Sequence, residues 1–165
     1  MAPTTNAQRV SEFHSFIPYI QSLEALDNTV WESPVGEGKW SLKELLCHLM
    51  RWDQYFYGEA FAKVKEGQPV TAKHLNFNEF NARAIQYAQT VTVQEAIEQF
   101  VLYRSLIVAE MTGSSEADFS RTHKDGDGKT FSYRGHLRGF LPHDKHHKKQ
   151  IEQYLQSRAV TKSQP

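Results

Sequence analysis

The sequence has one cysteine and no excess of charge of either sign. Its lysine and arginine residues number 19, as do its aspartate and glutamate residues. The lone thiol of Cys47 excludes a disulfide within the chain and a cysteine-rich zinc site, and it is typical of a reducing compartment. We therefore expect a cytoplasmic protein. Zero net charge argues against a broad nucleic-acid surface and against a polybasic membrane surface.

Long apolar runs and internal divisions are also missing. No stretch approaches the roughly 20 apolar residues that span a bilayer, and residues 1–11 lack the apolar core of a secretory signal. No repeat, low-complexity tract or linker divides the chain, so we expect one domain over residues 1–165. No alternating pattern is long enough to predict a strand.

Five amphipathic stretches predict helices, because their apolar residues recur at three- and four-residue steps. Ser41 with Glu44, and Thr92 with Glu95, form capping boxes that start two of these helices. Pro18 is expected to kink or restart the first helix. The stretches cover about residues 7–26, 41–65, 78–89, 92–112 and 133–156, with loops at 31–39 and 114–130. Long amphipathic helices joined by loops predict an all-α antiparallel bundle.

Eight histidines are the main functional feature of the sequence. His143 and His147 are four residues apart in the last predicted helix, so both project from one face, one turn apart. That spacing allows two imidazoles to bind one metal ion at about 2.0–2.1 Å. His48 lies on the apolar stripe of the second helix and supplies a third ligand. We predict a divalent metal site at these three residues, because a shared ion satisfies all three buried imidazoles.

Two other interpretations of these histidines remain open. The first is that the histidines bind no metal. A His-x-x-x-His pair is common by chance, and a lone histidine on an apolar face, such as His48, is more often a core residue with its hydrogen bonds satisfied locally. The second is a zinc protease, since His143-Asp144-x-x-His147 imitates the His-Glu-x-x-His motif. Aspartate is one methylene shorter than the usual general base, and few residues follow His147 to supply a further ligand. Both points weigh against a protease.

Three further residues are candidates for catalysis. Glu44 and Tyr55 lie within about 40° of His48 on an ideal helix, so either could orient a ligand or move a proton. Their alternative roles are the helix cap and the edge of the core. His136 is seven residues before His143 and could reach the same face. Cys47 points about 100° away from His48 and is interpreted as a packing residue.

Two segments of the chain resemble the DinB/YfiT-like superfamily of metalloenzymes. The first is Trp40-Ser41-Leu42-Lys43-Glu44-Leu45-Leu46-Cys47-His48-Leu49 with Trp52 following, and the second is His143-Asp144-Lys145-His146-His147-Lys148-Lys149-Gln150-Ile151. The segment 78–83 also resembles the third helix of some members. The resemblance implies a four-helix bundle in up-down-down-up order with an additional short helix, often forming a homodimer.

The resemblance also implies a function. It places a zinc or nickel ion at His48, His143 and His147, where relatives carry out S-transfer or isomerisation with a low-molecular-weight thiol. The middle of the chain further resembles a branch of cyclopropane hydrolases. We therefore expect a metal-dependent transferase or hydrolase acting on a small molecule. The alternatives are a non-catalytic metal-binding or stress-response module and a structural dimerisation bundle.

Overall fold

The computed structural model describes residues 2–163, with side chains up to residue 159. Within that range a π-helical turn, Tyr57–Phe61, continues one long helix into a shorter one. The helices and strands are α1 (Asn6–His14), α2 (Phe16–Ser22), α3 (Asn28–Glu32), α4 (Leu42–Phe56), α5 (Ala62–Lys65), α6 (Phe77–Ala88), α7 (Val93–Thr112), α8 (Glu116–Ser120), β1 (His123–Lys124), β2 (Thr130–Phe131) and α9 (Tyr133–Ser163). None of the described helices is both long and apolar enough to cross a membrane.

The first predicted helix is divided into α1 and α2, which confirms the expected restart. The break falls at Ser15, three residues before Pro18. Proline has no N–H, and the first turn of a helix is where amides have no intrahelical acceptor in any case. Pro18 therefore fits the start of α2, and the two short helices act as one member of the bundle.

Both predicted capping boxes are present. At the start of α4 the Glu44 N–H donates to the Ser41 hydroxyl at 3.1 Å, and the Ser41 N–H donates to the Glu44 carboxylate at 2.8 Å. Thr92 and Glu95 make the same pair of bonds at the start of α7. These bonds fix where each helix begins and therefore which of its residues face the interior.

The four long members of the bundle run up, down, down and up. The α1–α2 pair is antiparallel to α7, since Phe13 contacts Arg104 while the later Phe16 contacts the earlier Phe100. Helix α4 is parallel to α7, because the first halves of both lie in one apolar cluster and their continuations lie in a second. Helix α9 is antiparallel to α4 and its π-helical continuation, because the ring contacts between them run in opposite order along the two. The contacts are His48 with His143, Phe56 with Phe140, and Phe61 with Tyr133.

Helix α6 is the additional short helix. It packs antiparallel to α4: Phe80 near its start stacks on Trp52 with ring centroids 3.9 Å apart, and Gln89 just after its end donates to Glu44 at 3.1 Å. This return path lets α4 and α7 run in the same direction. It also places the middle of α6 over the middle of α4.

Two short elements lie where the sequence predicts a loop. Helix α8 has only five residues and buries Phe119 alone, which is too little to show a helical period. The β1–β2 hairpin packs on the segment before α6, where the Gly126 N–H donates to the Ala72 carbonyl at 2.7 Å. A Cβ at Gly126 would lie 2.9 Å from the Thr71 carbonyl, so the close approach requires glycine.

Helix α9 is longer than predicted. It continues through Pro142 and extends beyond residue 156 to Ser163. The last seven residues are mostly polar and carry no apolar stripe, so hydrophobic periodicity cannot locate the end of the helix. The part of α9 that matters for the site, from Tyr133 to Ile151, lies within the predicted stretch.

Candidate metal centre

The structure brings together the three histidines predicted as ligands. His48 on α4 and His143 and His147 on α9 each place a ring nitrogen within 4.8 Å of the others. The Nε2 atoms of His48 and His143 are 3.1 Å apart. Two nitrogens bound at about 2.0–2.1 Å to a tetrahedral ion are about 3.3 Å apart. The separation therefore fits a shared divalent ion with little movement.

Hydrogen bonds to the second ring nitrogens orient two of the imidazoles. His48 Nδ1 donates at 2.9 Å to the Asn81 side-chain oxygen, which also accepts from the Trp52 indole at 3.2 Å. His147 Nδ1 donates to the Gln150 side-chain oxygen at 3.2 Å. An amide oxygen only accepts, so each Nδ1 carries the proton and each Nε2 keeps a lone pair. This tautomer leaves Nε2 free to bind a metal ion.

Burial keeps the three imidazoles neutral. Burial, together with the nearby His147, lowers the pKa of His48 to about 4. Burial and the neighbouring histidines lower the pKa of His143 to about 3, and burial lowers the pKa of His147 as well. All three lone pairs are therefore available at neutral pH. A cluster of neutral imidazoles in the interior is a suitable donor set for a divalent cation.

A buried ionic network lies beside the histidines. Arg104 on α7 donates at 2.7 Å to Asp53 on α4 and at 2.7 Å to Asp144 on α9. It also donates to the Phe13 carbonyl on α1 at 3.1 Å. One guanidinium therefore joins all four long members of the bundle. Because Asp144 adjoins His143, the network fixes α9 relative to α4 at the level of the cluster.

The same network bears on the protease alternative. In a zinc protease of the His-Glu-x-x-His type, the acid between the histidines acts at the metal. Here Asp144 is 5% exposed and turned away from the histidines toward Arg104, because it lies about 100° from His143 around the helix. Asp144 is engaged in the ion pair, so the geometry favours a structural role for it.

An apolar cavity of about 340 Å³ adjoins the cluster. His48, Asn81 and His143 contribute to its lining. The rest of the wall is mainly aromatic, and consists of Trp52, Phe56, Phe77, Gly139 and Phe140. This volume is within the range of small-molecule sites. Trp52 of α4 therefore forms part of the wall, whereas Tyr154, further along α9, donates its hydroxyl to the Val30 carbonyl at 2.7 Å.

The candidates Glu44 and Tyr55 are engaged away from the cluster. The Glu44 carboxylate accepts from the Ser41 amide and the Gln89 side chain. The Tyr55 hydroxyl donates to the Lys73 carbonyl at 3.2 Å and accepts from the Lys73 amide at 2.8 Å. These contacts match their alternative roles, as a helix cap and at the edge of the core.

Cys47 is fully buried, and burial raises the pKa of its thiol to about 12. A protonated, buried thiol fits a packing residue. His146 is exposed, because it lies about 100° from His147 around α9. His136 is buried in an aromatic surrounding two turns before His143.

Sequence reasoning missed Asn81, Gln150 and Arg104 as parts of the site. Arg104 gave a signal, because it interrupts the apolar stripe of α7 between Phe100 and Ile107. Gln150 follows His147 by three residues, a spacing that places both on one helix face. The contact of Asn81 with His48 depends on how α6 crosses α4, which no local pattern shows.

The fold and the histidine cluster together define the class of protein: a helical bundle in which three histidines meet between two of the helices. The chain belongs to the DinB superfamily, whose sequence profile matches residues 19–151. The matched segment contains His48, His143 and His147. No curated protein matches the sequence.

Two solved structures share the fold. YfiT from Bacillus subtilis, described as a probable metal-dependent hydrolase with an unusual four-helix bundle topology, matches with a TM-score of 0.72 and 13% identity, over 96% of this chain and 90% of that chain. The mycothiol-dependent maleylpyruvate isomerase matches with a TM-score of 0.60 and 14% identity, over 92% of this chain and 58% of that one. At these identities the likeness shows the fold alone.

Proposed function

We propose that the protein is a metal-dependent enzyme that acts on a small molecule at a divalent ion held by His48, His143 and His147. The observation that carries the proposal is the placement of three neutral imidazoles, with nitrogens within 4.8 Å of one another, beside an apolar cavity of about 340 Å³. Three protein ligands leave one position open on tetrahedral zinc and three on six-coordinate nickel. Open positions are typical of catalytic sites.

The reaction class that we propose is transfer of a thiol group, or hydrolysis. A divalent ion held by His48, His143 and His147 would supply a nucleophile at neutral pH, since such an ion lowers the pKa of a bound water to about 7 or binds a thiol as its thiolate. The descriptions of the two structural neighbours, one a probable metal-dependent hydrolase and one mycothiol-dependent, support both reactions.

The residues of the chain have separate roles in this proposal. His48, His143 and His147 hold the ion, while Asn81 and Gln150 keep two of them in the required tautomer. The aromatic wall of the cavity binds the apolar part of the substrate. The network around Arg104 holds the two ligand-bearing helices in place.

Several details of the proposal rest on the sequence and its resemblance to relatives. Zinc or nickel is the proposed metal, and a low-molecular-weight thiol is the proposed co-substrate. We further propose that residues 1–165 form one bundle domain, that two copies form a homodimer, and that the protein acts in the cytoplasm.

Access to the metal distinguishes an enzyme from a closed metal-binding module. We expect cobalt-loaded protein to change its visible absorption when azide or a simple thiol is added, because an exogenous ligand enters the open position. A matched titration of His147→Ala, which lacks one ligand, controls for cobalt bound elsewhere. A spectrum that stays unchanged at saturating azide and thiol would exclude the enzyme and favour the closed module.

A further inference from the structure

His136 is a buried imidazole in an aromatic cage. It stacks on Phe140 with ring centroids 4.4 Å apart, and the rings of Phe56 and Phe61 lie at 5.0 and 4.9 Å. The side chain is 6% exposed. Among the described residues, neither ring nitrogen has a hydrogen-bond partner. A phenylalanine would fill this cage as well, so the two polar atoms need an explanation.

The chemistry of this imidazole defines what it can bind. Burial, and to a smaller degree the charge of Arg104, lowers the pKa of His136 to about 3, so the ring is neutral. A neutral imidazole offers one N–H donor and one acceptor nitrogen. Leaving both unpaired in an apolar cage is unfavourable. Because protein atoms enclose both nitrogens, a partner has to reach them from an adjoining cavity, with a small shift of the surrounding rings.

Such a cavity is present. His136 lines a space of about 350 Å³ bounded by the start of α9, the β1–β2 hairpin and the segment before α6. This space adjoins the cavity beside the three histidines, since Trp52, Phe56, Phe77, Gly139 and Phe140 line both. His136 is seven residues before His143 on α9, which corresponds to about 10 Å along the helix.

The charges around this second cavity are balanced. Lys73 and Lys129 line it together with Asp125 and Asp127. The Asp125 carboxylate accepts from the Asp127 and Lys129 amides, and Asp127 accepts from the His74 amide at 2.6 Å. With equal charges of both signs and a neutral imidazole, the cavity offers no net attraction for an ion. An uncharged polar group is the favoured occupant.

We propose that His136 forms the distal end of the substrate site and hydrogen-bonds an uncharged polar group, a hydroxyl or an amide, of the substrate. The other end of that substrate reaches the metal ion, and its apolar middle lies against Trp52, Phe56 and Phe140. The substrate class is thus a small molecule with two polar ends about 10 Å apart. The inference rests on the proposed metal function and adds a specificity-determining residue to it.

The test uses thiols of known length on the cobalt-loaded protein. Two series are titrated by the sulfur-to-cobalt absorption band: straight-chain alkanethiols, and mercaptoalcohols with a hydroxyl at the far end. We expect the hydroxyl to tighten binding about fivefold, the equivalent of one net hydrogen bond, only where the chain spans about 10 Å. Shorter mercaptoalcohols should bind no better than the matching alkanethiols.

Three variants test whether the gain in affinity from the terminal hydroxyl depends on His136. His136→Phe fills the same cage without polar atoms, so it should abolish the gain and keep both cobalt binding and alkanethiol affinity. His136→Gln retains a donor and an acceptor and should restore part of the gain. His74→Phe is the matched control, because His74 lines the same cavity but is exposed, and it should keep the full gain.

The outcomes separate the two proposals. Failure of the wild-type protein to bind cobalt, or of any thiol to alter its spectrum, contradicts the proposed function and this inference with it. Normal cobalt and thiol binding without a length-dependent gain from the hydroxyl overturns the inference alone. So does a gain that persists in His136→Phe.

Discussion

Arg104 on α7 holds Asp144 on α9 directly beside the metal-ligand candidate His143. The guanidinium donates to the Asp144 carboxylate at 2.7 Å, and both side chains are almost completely buried. Its other edge donates to Asp53 on α4, five residues after His48. The two helices that carry the three histidines are therefore held in register by a single cation.

Removal of the Arg104 guanidinium should destabilise the folded protein. We expect Arg104→Met to lower the free energy of unfolding by about 3–5 kcal/mol, because two carboxylates would remain buried without a partner. Denaturant unfolding of the metal-free protein measures the change. Arg121→Met is the matched control: its ion pair with Asp118 is exposed, and its removal should cost at most about 1 kcal/mol. Equal effects of the two variants would contradict a stabilising role of the buried network.

Metal affinity should depend on His147 and not on its neighbour His146. His147→Ala removes one of three ligands and should weaken zinc binding by more than about 100-fold, beyond the effect of losing a hydrogen bond to a ligand. His146→Ala changes an exposed residue and should leave the affinity unchanged. Competition with a chromophoric chelator measures both. Similar losses in the two variants would show that zinc is bound elsewhere on α9.

Asn81 should tune the metal through His48. Asn81→Leu removes the acceptor for His48 Nδ1, so we expect metal affinity to fall about 10–100-fold while the fold is kept. Asn81→Asp keeps an acceptor oxygen and should retain most of the affinity. Asn78→Leu, at an exposed position of the same helix, is the control. If Asn81→Leu binds zinc as tightly as the wild-type protein, the hydrogen bond does not orient the ligand.

Acid should destabilise the metal-free wild-type protein more than His136→Phe. The pKa of His136 is lowered from 6.5 to about 3 by burial, so between these values the unfolded chain takes up a proton that the folded chain does not. Stability from this residue is therefore lost as the pH falls from about 6.5 toward 3, at up to about 1.4 kcal/mol per pH unit. Urea unfolding of both proteins at pH 7 and pH 5 tests this. An equal difference between them at both pH values would contradict a neutral His136.

The sequence predicts the long helices well because each buries one face. Ser41 with Glu44, and Thr92 with Glu95, locate two helix starts, and the four-residue spacing of His143 and His147 places both on one face. These signals are local. The five-residue helices and the hairpin bury too few residues to show any period.

The contacts that complete the candidate site depend on long-range packing. Asn81 is 33 residues from His48, and Arg104 is 51 residues from Asp53 and 40 from Asp144. Residue types alone show that an arginine interrupts an apolar stripe, but its partners are defined only once the helices are packed. The adjoining cavities, which arise where α4, α6, α9 and the hairpin meet, could not be predicted for the same reason.

Metal analysis of tag-free protein, purified without chelator, tests the central claim most directly. A histidine tag has to be absent, since it binds nickel itself. We predict one zinc or nickel ion per chain, retained through dialysis and lost when His48, His143 and His147 are all replaced by alanine. A protein that is isolated without metal and takes up neither zinc nor nickel at saturating concentration would contradict the account.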